Sequence, residues 1–550
     1  MLHRAPRKTQ KGIVKLFGVQ PLSGQQGFTR HCQVVENVSS AMMRWYLKYK
    51  RYRFPKEIIT HCVRLYHRST PALREIECSW PPVGSWRPPR RGCAAGSTNS
   101  PIVTEKALTE SLSLMNTSLP AKGTNDGMTD HTNPPIGWQH KAFGTDLNGL
   151  RSSDLEALGI SALDGDLPLP VMTLDREAIS HNVDLMAKFC ADHDVDLAPH
   201  AKTTMSPELV RRQLDAGAWG MTAATVAQAR ILREFGVDTI IIASQVLDPA
   251  GIRWICDVQQ TDPGFFVATL VDSIESVQLM ESLIAKVSPS SRIRVLVELG
   301  YDNGRAGART LDQALDVARA ASQTQSLVLT GVEGFEGMMP GASVAARRIS
   351  VDSYLRSARV FTEICVAENL FENNSTQAPL PLVTFGGSAF HDLVVRELAG
   401  RWATGNGVRV VLRSGCYITH DHGLYADTSP WADGPRTLRA AAEVWGVVLS
   451  LPEPGRAILG FGRRDVGSDA GFPTVLWRRR DGSNQSAREL SISALNDQHA
   501  YVDLPGNFDV RVGDLLGCGI SHPCTTFDKW SLIPEVDAHY RVVGSVHTFF

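Results

Sequence analysis

No stretch of this 550-residue chain approaches the roughly 20 consecutive apolar residues that a membrane-spanning helix needs, so a membrane partner is not expected. No CxxC pair occurs among the ten cysteines. Their scatter excludes a zinc ribbon, a dithiol redox pair and a dense disulfide scaffold, and it points to a reducing cytoplasm. Acidic residues are almost missing from positions 1–100, with four Glu and no Asp against 18 Lys and Arg. The rest of the chain holds 38 basic and 53 acidic residues, so the net charge of −1 conceals a basic front and an acidic body.

The front also lacks periodicity. Residues 1–135 are expected to be a leader and linker, largely disordered or irregular with some helix. Residues 94–135 are rich in Gly, Ser, Thr and Asn, as a linker is. The run Arg53-Phe-Pro-Lys-Glu-Ile-Ile59 within residues 43–69 resembles the start of a helix-turn-helix in insertion-sequence transposases. No acidic metal-binding triad follows it, so no nucleic-acid role is expected. The Trp/Pro/Arg-rich text after Glu77 reads like a frame-shifted coding sequence. On that reading Met115 or Met128 is the start of the functional protein.

Beyond residue 170 the texture becomes regular. Short Val/Ile/Leu-rich runs alternate with amphipathic stretches, the pattern of parallel βα units. Strands are expected at 196–200, 219–223, 239–243, 264–271, 293–299, 327–331, 381–385 and 408–412. Helices are expected at 176–192, 207–216, 226–235, 273–287, 311–321 and 344–369. The fold class is α/β: eight such strands predict a (β/α)8 barrel over 171–430. A C-terminal β-rich domain is expected over 431–550, from the short strand-like runs 441–450, 456–462, 499–505 and 539–550. Residues 136–170 are expected to pack with that domain.

In a barrel, chemistry collects where strands end. His200 and Lys202 close the first strand in Leu197-Ala-Pro-His-Ala-Lys-Thr203, and alternation places both on one face. A lysine facing a barrel interior has to be paired or used covalently, and desolvation makes its amine a good imine former. After strand seven, Gly386-Gly387-Ser388 offers backbone N–H groups and a hydroxyl to a phosphate. After strand eight, Arg413 and Tyr417 offer a cation and a phenol to the same group. After strand five, Arg305 stands among small residues in Gly304-Arg-Ala-Gly307, where it could meet a cofactor or a substrate carboxylate. Near the C-terminus, His522 and Cys524 are good zinc ligand types at i, i+2. Two protein ligands leave positions open, which suits a catalytic metal. His499, in Asn496-Asp-Gln-His499, is a further candidate.

Together these motifs resemble the D-serine dehydratase/D-threonine aldolase family, pyridoxal-phosphate enzymes with an alanine-racemase-type barrel and a C-terminal β domain. The likeness covers residues 135–550. It rests on Pro199-His-Ala-Lys-Thr203, Gly304–Gly307, Gly386–Ser388, Arg413–Tyr417 and His522-Pro-Cys524, and it is greatest to bacterial D-serine deaminase-like members. The resemblance implies pyridoxal 5′-phosphate held by Lys202 as an imine, and Zn2+ on His522 and Cys524. It also implies a small D-amino acid substrate, a homodimer, and removal of the α-proton by the freed Lys202. For D-serine the products are pyruvate and ammonia. The alternatives are aldolase cleavage of β-hydroxy-D-amino acids, racemisation, or cofactor carriage without catalysis. Relatives carry Tyr in a Gly-Val-Tyr run where this chain has Gly331-Val-Glu333, so the role of that Tyr is in question here and Glu333 could favour a cationic group.

Overall fold

The computed structural model describes residues 133–372, 380–403, 407–432, 436–506 and 508–550. The leader up to residue 132, its transposase-like run, Met115 and Met128 lie outside the described residues.

Strand β1 (Val171–Asp175) leads directly into helix α1 (Arg176–Asp192). Eight parallel strands follow: β2 (Asp196–Leu197), β3 (Met221–Ala223), β4 (Thr239–Ile242), β5 (Phe266–Val271), β6 (Ile293–Leu299), β7 (Leu327–Gly334), β8 (Leu382–Phe385) and β9 (Arg409–Leu412). Pairing runs in one circuit from β3 through β4 and onward to β9 and β2. The circuit closes through a single parallel bridge, His200 to Thr222, with the Trp219 N–H donating to the Leu197 carbonyl at 2.8 Å. Pro199 has no N–H to give to a longer ladder, so β2 stops short of the expected His200. Lys202 therefore sits not on a strand but in a 3-10 turn, Ala201–Thr203.

The crossovers are helices α2 (Pro207–Asp215), α3 (Val226–Glu234), α4 (Pro249–Thr261), α5 (Ile274–Val287), α6 (Leu311–Gln323), α7 (Val344–Ala367) and α8 (His391–Leu398). Their starts are written locally. Ser206, Thr225, Asp248, Ser273, Thr310 and Ser343 each accept an N–H from the first turn, and Pro follows two of them at N1. Ala198, Ile241, Phe266, Ala268, Leu270, Leu296, Leu382 and Val411 form a separate apolar cluster within the ring of strands. The barrel is thus a packed core whose free surface is its mouth.

The second layer is a ten-stranded sheet. Its strands β10 (Ala442–Glu453), β11 (Arg456–Leu459), β12 (Thr474–Arg480), β13 (Ser483–Ser486), β14 (Ser491–Leu495), β15 (Ala500–Asp503), β16 (Leu515–Gly519), β17 (Leu532–Val536) and β18 (Val542–His547) come from the C-terminal part. Its tenth strand is β1, grouped by sequence with the barrel. β1 pairs antiparallel with β10 (Val171 opposite Trp445) and parallel with β17 (Leu174 opposite Glu535). Four of its five residues are buried, as expected of an interior strand covered on both faces. Residues before 170 also join this sheet: the Ala162 N–H meets the Tyr540 carbonyl at 2.9 Å, and Ser152 Oγ donates to the Ser545 carbonyl at 2.8 Å.

Candidate active site

The turn carrying Lys202 is pressed against the turn after β9. A Cβ on Gly415 would collide with the His200 carbonyl, so only glycine lets these two turns meet. His200 is half-buried. Burial first, then the positive charges of Lys202, Arg413 and Arg305, hold its imidazole well below the usual histidine range. The ring is neutral, and three cations converge on it. Among the described residues no hydrogen bond or ion pair engages Lys202 Nζ, so its amine is available for covalent use.

The glycine turn after β8 already binds an anion, one of the protein's own. The Gly386 and Gly387 N–H groups donate to the two carboxylate oxygens of Glu336 at 3.2 and 2.5 Å. Gly386 sits at φ +92°, where glycine is favoured. Ser414 Oγ donates to the Gly386 and Gly387 carbonyls at 3.0 and 3.1 Å, while Ser388 Oγ accepts the Cys416 N–H at 3.3 Å. Glu336 is fully buried, and burial raises its carboxyl above the ordinary range.

Arg413 is committed elsewhere than the sequence suggested. Its guanidinium forms an ion pair with Glu333 and donates to the Gly334 carbonyl at 2.6 Å. Burial pushes the Glu333 carboxyl up to about 7 in spite of that partner. Glu298 stands beside Glu333 in the β6–β7 ladder and accepts a hydrogen bond from Gln245 at 2.5 Å. Tyr417 is also turned aside. Its buried phenol accepts from Gln213 on α2 at 3.0 Å, in the packing layer rather than at the mouth. Arg305 is exposed and lies over the Phe335 ring at 5.5 Å. Its loop is held by Arg309, whose guanidinium donates to the carbonyls of Gly304, Arg305, Ala306 and Gly307 at 2.7–3.1 Å.

The sheet domain delivers the third part. His522 and Cys524 flank Pro523 at the start of a one-turn helix, and their ligand atoms lie with that of Cys416 within 4.8 Å of one another. The Cys416 and Cys524 sulfurs are 3.5 Å apart, and Thr203 Oγ1 touches them at 3.6 and 3.4 Å. Thr203 adjoins Lys202, so the turn that carries the amine also touches the thiols. His522 Nδ1 lies 2.7 Å from Asp469 Oδ2, which leaves Nε2 for a ligand role. Burial opposes a charge on His522, but Cys524 and Asp469 together raise it to about 9. Hydrogen bonding from Cys416 and then from His522 lowers the Cys524 thiol well below its usual range, while Cys416 keeps its proton.

Cys416, Asp469, Glu336 and Thr203 were not singled out from sequence. The one hint was a cysteine in an otherwise small-residue turn after the last barrel strand. His499 is exposed at the hairpin between β14 and β15, where its carbonyl accepts the Asn496 N–H; it contributes nothing to this corner.

Two family models match in order along the chain: "Alanine racemase, N-terminal domain" over residues 174–347 and "Putative serine dehydratase domain" over 441–536. These two matches, in this order, support a likeness to the D-serine dehydratase/D-threonine aldolase family. A D-threonine aldolase from Arthrobacter sp. is 26% identical over 360 residues, which is 65% of this chain and 86% of the relative. A 3-hydroxy-D-aspartate aldolase from Paracoccus denitrificans is 22% identical over 57% of this chain and 77% of the relative. The structure of D-threo-3-hydroxyaspartate dehydratase from Delftia sp. HT23 shares the fold, with a TM-score of 0.53 at 18% identity over 70% of this chain and 98% of that one. A cysteine-to-alanine variant of D-threo-3-hydroxyaspartate dehydratase with the same fold is described in a metal-free form.

The residues present fit both groups. The unengaged Lys202 amine suits the cofactor aldehyde, and the Gly386–Gly387 amides demonstrably cradle an anion, although Glu336 fills that cradle here. The sulfur and imidazole donors suit zinc. Arg413 and Tyr417, expected at the phosphate, are spent on Glu333 and Gln213.

Proposed function

We propose that this protein is a pyridoxal-phosphate- and zinc-dependent lyase that converts a D-serine-like β-hydroxy-D-amino acid to a keto acid and ammonia. One observation carries the reading: Thr203, next to Lys202, touches both thiols of the Cys416–Cys524 pair. The turn that carries the Lys202 amine therefore also touches ligands able to hold a metal at the β-hydroxyl.

Lys202 Nζ would hold the cofactor and, once released by the substrate amine, take the proton from Cα. Bound pyridoxal phosphate supplies a sink for the electron pair left at Cα. His522 and Cys524 would hold zinc, which supplies Lewis acidity toward the departing hydroxyl. The Gly386 and Gly387 amides and Ser388 are the phosphate candidates, and Glu336 must surrender those amides to it. His200, kept neutral, leaves Lys202 as the group that carries the proton. Arg305, exposed on its clamped loop, is the candidate partner for the substrate carboxylate. For D-serine the reaction balances as pyruvate plus ammonia, with the hydroxyl lost as water and one water consumed in releasing the amine.

Aldolase cleavage is the second reading. The likeness to a D-threonine aldolase favours it, and a metal on His522 and Cys524 would serve at the same β-hydroxyl. Products separate the readings. Incubation with D-serine and D-threonine, with and without a chelator, should give ammonia and a keto acid that vanish on metal removal. Glycine plus an aldehyde would make the protein an aldolase, L-isomers a racemase, and no product a carrier. Activity indifferent to the chelator would remove the metal from the mechanism. The six described cysteines are all reduced, in keeping with a cytoplasmic setting, and no described helix is long and apolar enough to cross a membrane. A homodimer is part of the same reading, to be checked by sedimentation.

A further inference from the structure

Cys416 comes from the barrel, not from the His522-Pro-Cys524 segment that the metal reading uses. It lies 108 residues before Cys524 in sequence, yet its sulfur stands 3.5 Å from the Cys524 sulfur. Two thiolates on one tetrahedral zinc, each about 2.3 Å from the ion, stand about 3.8 Å apart. The pair therefore needs to open by only a few tenths of an ångström to bind a common ion. The backbone at Cys416 is fixed in two ways. Its N–H is held by Ser388 Oγ at 3.3 Å, and Gly415 is wedged under the His200 carbonyl. Across the corner, Asp469 orients the His522 ring from the Nδ1 side at 2.7 Å. The sulfur of Cys416 is thus held where the other two ligand atoms converge, all within 4.8 Å.

We propose that Cys416 is a third protein ligand, so that the metal site is a two-sulfur, one-nitrogen set with a single open position. This rests on the metal role of His522 and Cys524 and adds its class. Two thiolates and a neutral imidazole select a soft or borderline ion, Zn2+ or its stand-in Co2+, over Mg2+, Ca2+ and Mn2+. They also cancel the charge of a divalent ion, which tempers its pull on whatever enters the open position. Three ligands hold the ion without help from substrate. Thr203, against both sulfurs, links the metal corner to the Lys202 turn.

The test replaces zinc by Co2+ in the full-length, pyridoxal-phosphate-loaded protein and reads sulfur-to-cobalt charge transfer as a difference spectrum against the metal-free form. The wild type should show the intensity of two thiolates. Cys416→Ser and Cys524→Ser should each lose about half of it and bind Co2+ at least tenfold more weakly, and excess Mg2+ or Mn2+ should not displace the ion. Thermal melts of the metal-free variants establish that each is folded. Unchanged intensity and affinity in Cys416→Ser, with loss in Cys524→Ser, would overturn the third ligand and leave the two-ligand site standing. No sulfur charge transfer in the wild type would overturn both.

Discussion

Arg413 and His522 each face a carboxylate, in opposite settings. The Arg413–Glu333 pair at the barrel mouth is sealed from water, with side chains 6% and 1% exposed. The His522–Asp469 pair on the sheet side is 18% and 48% exposed. The barrel pair satisfies charges that the fold has buried, and such a pair is costly to break although it adds little net stability. The sheet pair orients one ring from outside and can adjust. The barrel half of the site is rigid and self-neutralised, and the sheet half is tunable.

Lys202 lies where the halves meet, so its loss should have the largest effect. Lys202→Ala should abolish the visible absorbance of bound cofactor and lower turnover by about a thousandfold or more. Retained absorbance and rate would end the proposal.

Within the barrel half, Arg413→Met takes the cation from Glu333, which then keeps its proton at neutral pH, so urea unfolding should lose about 1–3 kcal/mol with the vacated bonds to Glu333 and Gly334. Adding Glu333→Met should recover most of that loss. A small effect of the single change would mean that water reaches the pair and that the two halves differ less than their burial indicates.

Glu333 also gives the barrel half a pH dependence. Its folded value of about 7 lies above the ordinary 4.5, so between these values the folded chain holds a proton that the unfolded chain has released. Stability from this group therefore falls as pH rises from 4.5 to 7, by on the order of 3 kcal/mol, and is flat beyond. Unfolding free energies at pH 5 and pH 7.5 should show a drop that Glu333→Gln lacks.

On the sheet side, Asp469→Asn should leave global stability within about 0.5 kcal/mol, because the group is half exposed. It should weaken zinc about 10–100-fold in a chelator competition. An equal loss of stability would erase the contrast with Arg413. The smallest change is Tyr417→Phe, which takes the partner from buried Gln213 and should cost about 1 kcal/mol with the cofactor spectrum unchanged.

Much of this architecture is legible in the residues. The eight barrel strands are apolar runs buried largely on both faces, and all their helices but α8 begin at Ser, Thr or Asp caps, so local chemistry marks both. Lys202, the Gly386–Gly387 turn and His522-Pro-Cys524 stand out as motifs at element ends. What stayed hidden depends on where side chains point after distant segments meet. Arg413 and Tyr417 have the right chemistry for a phosphate, but their directions were set by Glu333 and Gln213. Cys416 became interesting only when the sheet brought Cys524 beside it. Strand β1 looked like a barrel neighbour because its partners, β10 and β17, lie beyond the whole barrel sequence.

That placement has a consequence for synthesis. β1 is made before the barrel, but its two neighbours appear only after every barrel segment has been made. The barrel is in effect an insertion within the sheet domain, so the sheet can be completed around β1 only once the barrel has been made. His522 and Cys524 lie beyond every barrel strand in sequence. A chain made only as far as β9 would carry Lys202 and the glycine turn without the proposed metal ligands His522 and Cys524, which follow the whole barrel in sequence.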